Sequence, residues 1–163
     1  MIPSWFEDNF VDIEQLLIDL FKKVFPEIPE DRVGVWTPDD WLDDDLSPLE
    51  VLPLLTFVRL PGGVVDWEQN YDECLVQASI VTGSRATSIQ VMSVIRACLL
   101  PMSGFKFTMD DGLTAQIHKC SEISGPQLLS PGQEIDTRVV PATFRVRVGL
   151  RSRKRYEADL SAL

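Results

Sequence analysis

The sequence predicts a single α+β domain in which a mostly antiparallel or mixed β-sheet is covered by two helices and carries a protruding β-hairpin. Two segments, about 8–25 and 84–100, place apolar residues at helical spacing. Strand-like runs rich in β-branched and aromatic residues fall between and after them. The resulting order is helix, two or three strands, helix, then two or three strands, which suits helices packed on a sheet and shows no internal repeat. At 163 residues the chain has the size of one ordinary domain. Residues 1–150 form that expected domain, and 151–163 read as a basic then polar C-terminal tail.

In the first helix, Phe10, Ile13, Leu17, Leu20/Phe21 and Val24 lie between an acidic start (Glu7, Asp8, Asp12) and Lys22-Lys23, with Pro26 just beyond. Both charged ends complement the helix dipole. RVGVWT (32–37) reads as a short strand, and the stretch TPDDWLDDDLSPLEVLP that follows mixes prolines with acids as a long loop. PLLTFVRL (53–60) and ECLVQASIVTG (73–83) are the next two strands. Between them lies LPGGVVD, in which Gly62-Gly63 fits a hairpin tip needing positive φ and Pro61 sets the preceding turn position. The connection through Asp66 to Tyr71 is longer than a two-residue loop, so a β-arm is expected, with Trp67 and Tyr71 as its anchors on a neighbour.

Ser84 is a good N-cap for the second helix, whose expected inner stripe is Ile89, Met92, Ile95/Arg96 and Leu99 and which ends at Pro101. Strands around FKFTM and LTAQIHKC follow, joined by an Asp110-Asp111-Gly112 turn. In the last strand, VVPATFRVRVGLR, Phe144, Val146, Val148 and Leu150 alternate with Arg145, Arg147 and Arg151, which means one buried and one wet face.

Charge is unevenly distributed. Residues 1–74 hold 18 acidic and 4 basic side chains, a balance of −14, whereas residues 75–163 hold 7 and 11, a balance of +4, together the net −10. That polarity suits repeated contacts between copies or an oriented partner, and a general nucleic-acid binder is expected to be basic instead. The opening MIPSWFEDNF lacks the pattern of a secretory signal, and no apolar run approaches the roughly 20 residues of a membrane span, so a soluble protein that stays where it is made is expected. Cys74, Cys98 and Cys120 are odd in number and widely spaced, as reduced, partly buried thiols would be.

No constellation points to catalysis or to a cofactor. Asp39, Asp40, Asp43, Asp44 and Asp45 are the metal candidates, but a calcium-loop template begun at Asp43 puts Pro48 at the glycine position and Leu54 at the bidentate glutamate. The cluster reads as a solvated loop or an electrostatic partner surface. His118, the one histidine, lies in a strand with neither a nucleophile elbow nor a papain-like cysteine context. Gly62-Gly63 has no lysine and no following helix start, so it is not a phosphate loop; Gly83-Ser84, at a strand-to-helix junction, offers free helix amides to an anion but has no glycine-rich fingerprint, and an N-cap already accounts for the serine. The basic run Arg151-Ser152-Arg153-Lys154-Arg155 reads as a solvated terminal strand or tail, as the partner of an acidic surface on another subunit, or as a nucleic-acid contact.

Taken together, the N-terminal helix, RVGVWT, LPLLTFVRLPGGVVD, LVQASIVTG leading into the SRATS helix, and ISGPQLL followed by Arg138 and a strand ending VRVGLR span nearly the whole chain. This pattern resembles the tail terminator (tail completion) proteins of long, flexible-tailed bacteriophages, the group that includes the U protein of lambdoid phages. The resemblance implies a homohexameric ring in the virion, assembled in the host cytoplasm, that caps the head-proximal end of the tail tube, ends its polymerisation and offers a surface for head joining. Implied partners are other copies of the chain, the tail tube protein and a head–tail connector, with DNA passing the lumen without specific binding and no membrane involved. Asp39, Asp40, Asp43, Asp44, Asp45, Gly62, Gly63, Trp67, Tyr71, Arg145, Arg147 and Arg151 are the candidate contact residues. Competing readings are a head–tail connector or head-completion protein and, from another class, a small-molecule-binding enzyme.

Overall fold

Helix α1 (Ile13–Val24) starts later than its apolar spacing alone predicts. Asp8 takes the Phe10 amide at 3.0 Å, and Asp12 then caps the helix by accepting from the amides of Glu14 and Gln15, each at 3.1 Å. These local bonds satisfy free amides before the helix begins, which leaves Phe10 41% exposed and outside the inner stripe. Val11 before the cap and Leu16 in the first turn are both buried, as in a hydrophobic staple. The computed structural model describes residues 4–37, 52–126, 138–152 and 154–161.

After a 3-10 turn (Glu30–Arg32) the chain makes β1 (Val33–Gly34), β2 (Leu54–Asp66), β3 (Tyr71–Val81), α2 (Arg85–Leu99), β4 (Phe105–Thr108), β5 (Thr114–Ser124), β6 (Val140–Gly149) and α3 (Glu157–Ser161). The strands form one sheet in the order β1-β2-β3-β6-β5-β4. Pairing is antiparallel throughout except between β1 and β2, so the α+β mixed sheet expected from the sequence is present.

Four local expectations change. The RVGVWT strand is reduced to a two-residue edge strand parallel to β2, and Trp36 beyond it is 81% exposed. β2 runs past Leu60 to Asp66, because a bulge between Leu60 and Gly63 absorbs Pro61, which has no amide to donate, and lets pairing resume. β3 therefore starts at Tyr71, two residues earlier than expected. In α2, Ser84 caps by accepting the Thr87 amide at 3.1 Å, but the inner stripe is Ser88, Met92, Ile95 and Leu99, with Ile89 41% exposed. Ser88 can be interior because its hydroxyl bonds the Thr82 amide at 3.0 Å and lies 3.1 Å from the Thr82 hydroxyl.

The core lies between the two helices and one face of the sheet. Phe21 of α1 stacks on Phe57 of β2 with centroids 5.1 Å apart, and Met92, Ile95 and Leu99 of α2 join Val76, Ala78, Phe144 and Val146 in the same cluster. At the far end of the strand order the turn Asp110-Asp111-Gly112, present as expected, also reaches α1. Asp19, 1% exposed, accepts the Asp110 amide at 2.9 Å, and Lys23 sits 4.6 Å above the Phe107 ring. The sheet thus curls around α1, which explains how a carboxylate can be buried in an otherwise apolar helix face. Among the described residues no helix is long and apolar enough to cross a membrane.

The tail is tied to the start of the chain. The Tyr156 ring packs on Trp5 and Phe6, its hydroxyl accepts the Glu7 amide at 3.0 Å, and Lys154 donates to the Trp5 carbonyl at 2.7 Å.

Candidate functional site

Strand alternation divides the sheet into a covered and an uncovered side. On β3, Asp72, Cys74, Val76, Ala78 and Ile80 are buried, while Tyr71, Glu73, Leu75, Gln77 and Ser79 are half-buried on the opposite side. On β6, Val140, Ala142, Phe144, Val146 and Val148 face the core, and Thr143, Arg145 and Arg147 take the other side. Both α1 and α2 pack on the covered side, so among the described residues the charges of the uncovered side are met by side chains of the sheet itself.

Register brings together on that side residues far apart in sequence. Glu73 of β3 lies opposite Arg147 of β6, which lies opposite Lys119 of β5; one row on, Leu75, Arg145 and Ser121 are aligned. Arg147 donates to Glu73 Oε2 at 2.8 and 3.2 Å, and Arg145 Nε is 3.5 Å from Glu73 Oε1. The Arg147 guanidinium also lies 4.1 Å over the Tyr71 ring. Its hydrogen bond to Glu73 raises its pKa further above the ordinary value. Glu73, Lys119, Ser121, Arg145 and Arg147 line a shallow cleft. Three cations thus surround one carboxylate, and Lys119 and Arg147 are like charges directly opposite each other, a pairing that costs stability.

The other candidate residues occupy different places. Gly62 and Gly63 have φ of 111° and 97° as expected, but they sit in the β2 bulge and not at the hairpin tip. The tip is residues 67–70, where Asp66 accepts the Gln69 amide at 2.7 Å and Asn70 takes a φ of 64°. β3 is paired with β2 from Tyr71 to Val81 and with β6 from Tyr71 to Ile80, so the hairpin is an extension of the sheet. Trp67 at its tip is half-buried and lines a groove with Tyr156 and Leu160, while Tyr71 lies under Arg147. Arg151 is apart from the other two arginines. It is 3.5 Å from Asp111 and 3.9 Å from Asp8, with a side chain only 15% exposed, and so links the β4–β5 turn to the N-terminal segment. Asp39, Asp40, Asp43, Asp44 and Asp45 lie outside the described residues.

The nucleophile candidates are separated from one another. Burial, reinforced by Asp72, pushes the Cys74 thiol up to about 12, and burial with Glu122 does the same for Cys120. His118 lies across the strand pair from Gly149, its Nε2 2.9 Å from where a Cβ there would sit, whereas Cys120 is in the core. All three cysteines are free. Among the described residues no group of three or more His, Cys, Asp or Glu is placed to hold a metal ion.

Glu73, Lys119 and Ser121 were not singled out by the sequence. The alternation around Cys74 and Cys120 could have assigned each to the wet face, but only register shows that they meet.

The family model described as phage tail termination protein matches residues 9–155. That range takes in α1, every described strand and α2, together with the basic cleft and the hairpin. None of the curated proteins compared matches the chain.

Proposed function

The chain belongs to the phage tail termination protein family, and we propose that it caps the head-proximal end of the tail tube as a homohexameric ring, halts tube polymerisation and presents a surface for head joining. It is a structural protein of the phage tail, matched to that family over nearly all its length, and this match is the observation that carries the proposal.

A closed ring of identical subunits needs two different patches that complement each other. The uncovered basic side of the sheet supplies one candidate, and the acid-rich first part of the chain supplies the other. Arg145 and Arg147 then serve a subunit or connector contact. Arg151 lies apart from them and serves the contact only indirectly, by tying the N-terminal segment to the β4–β5 turn through Asp8 and Asp111, and the Asp39–Asp45 stretch meets the lumen, the tube or a neighbour. The hairpin with Gly62, Gly63, Trp67 and Tyr71 reaches an adjacent subunit or the tube protein. Termination requires no bond to be made or broken: one surface imitates the end of a tube subunit, and the other offers no seat for a further tube ring. A net charge of −10 per subunit favours transit of DNA through the lumen over adhesion. The ring belongs in the virion tail and assembles in the host cytoplasm.

Deletion of the gene in the parent phage tests this directly. Overlong or irregular tails without heads are expected, and tails of normal length refute termination. Purified protein should cap isolated tail tubes; capping of portal-bearing heads instead would identify a head–tail connector.

A further inference from the structure

The geometry points to the cleft of Lys119, Ser121, Arg145 and Arg147 as a carboxylate-binding site for an acidic surface of a second copy of this chain, with Glu73 as the internal stand-in that holds the site open. This deepens the ring reading and rests on it.

The arrangement around Glu73 is incomplete as an ion-pair network. One carboxylate spends both oxygens on two guanidinium groups, Oε2 on Arg147 at 2.8 Å and Oε1 on Arg145 at 3.5 Å. Among the described residues Arg145 makes only that long contact, and its side chain is 49% exposed, so most of its five donors remain available there. Lys119 is exposed and has no carboxylate partner among the described residues, yet it stands opposite Arg147. Ser121, opposite Arg145, adds a hydroxyl donor. The site therefore carries an excess of two positive charges in a chain whose total is −10. A second carboxylate seated among Lys119, Arg145 and Ser121 relieves the like-charge opposition and completes the network.

Charge complementarity selects the occupant. Each copy carries 25 acidic side chains, 18 of them before residue 75. Glu27, Glu30 and Asp31 are exposed on the connection leading to β1, at the edge of the sheet away from the cleft strands β5 and β6. An acidic edge on one copy and a basic face on the next make a heterologous contact, the kind that closes a ring. Duplex DNA is the poorer fit, because the chain's net negative charge repels phosphates at long range.

Glu73 gives the proposal its test. If Glu73 only braces the sheet, Glu73→Gln weakens the protein and leaves or reduces self-association. If it is a stand-in that competes with a partner carboxylate, Glu73→Gln tightens self-association. Sedimentation velocity of the full chain across a concentration and salt series reads the difference, with thermal unfolding as the check on folding. Expected are association that weakens as salt rises, a loss of roughly tenfold or more for Arg145→Glu/Arg147→Glu, and a gain of a few-fold for Glu73→Gln. A chain that stays monomeric at every concentration overturns the proposal, as does a Glu73→Gln variant that associates no more tightly than the parent. So does charge reversal that spares self-association but abolishes binding of a duplex DNA probe. Where any of these occurs while the parent still caps isolated tubes, the carboxylate site falls and the terminator reading stands; loss of tube capping by the parent itself removes the latter.

Discussion

Substitution of Gly63 by alanine should be among the most damaging single changes in the protein, and the reason is local. At Gly63 the backbone has a φ of 97°, and a Cβ there would lie 2.0 Å from the Glu73 carbonyl oxygen of the paired strand. The φ alone costs about 1–3 kcal/mol for a residue with a side chain. The clash is with backbone, so the bulge must open and β2 must shift against β3, which adds roughly 1–3 kcal/mol by analogy with overpacked interiors. Gly112→Ala is the internal control, since φ is 82° but nothing lies within 4 Å of the added carbon. Gly62→Ala falls between, because its nearest neighbour is the Leu75 side chain at 3.1 Å, which can rotate. The expected order of destabilisation is Gly63, then Gly62, then Gly112, with Gly63→Ala lowering Tm by on the order of 10 °C. Urea and thermal unfolding of the three variants measure it. If Gly63→Ala loses no more stability than Gly112→Ala, the close approach of the bulge to β3 is wrong.

Phe57→Ala removes a fully buried ring stacked on Phe21 and should cost about 3–5 kcal/mol, read by chemical denaturation. At pH 8 a thiol reagent should modify the half-buried Cys98 in the native protein and reach Cys74 and Cys120 only after unfolding, as peptide mapping would show. The same two thiols make stability pH-dependent in one direction. Held at about 12 when folded and near 9.0 when unfolded, they keep protons that the unfolded chain releases, so their contribution is constant below about pH 9 and declines as pH rises towards 12. Trp67→Ala should weaken ring assembly and tail joining by about 2 kcal/mol if the hairpin tip is an interface anchor, measured by solution mass and electron microscopy. Unchanged assembly would restrict Trp67 to packing against the C-terminal tail, whose Tyr156 and Leu160 line the same groove.

The architecture was legible in the sequence because period and punctuation agreed over long segments. The alternation from Phe144 to Leu150 specified the buried face of β6, and Ser84 and Pro101 bracketed α2. The errors came where a nearby polar group competed with the apolar pattern. Asp8 and Asp12 satisfy amides locally and delay α1, so Phe10 falls outside it despite its helical spacing. Ser88 takes the inner position expected for Ile89 because Thr82 supplies its hydrogen-bond partner, a contact six residues away that no propensity encodes. In β2, proline and two glycines were strong turn signals, yet a bulge uses the same residues for the same conformational reasons without ending the strand.

The candidate site was legible only as far as one strand could show it. Arg145 and Arg147 were separated from the core by alternation alone, but Arg151, two positions beyond the strand, continued the pattern in sequence and not in space. Its guanidinium is held by Asp111 and Asp8, which come from a turn 40 residues earlier and from the N-terminal segment. Glu73, which organises the two remaining arginines, lies 74 residues before Arg147 and is brought there by cross-strand pairing. A charge pattern along a strand thus predicts which face a residue takes, while the partner that decides whether the charge is spent or available depends on register. Among the described residues, register leaves Arg145 and Lys119 incompletely neutralised on the side of the sheet that neither α1 nor α2 covers, and it is this local imbalance, more than the overall asymmetry of charge, on which the proposed carboxylate site rests.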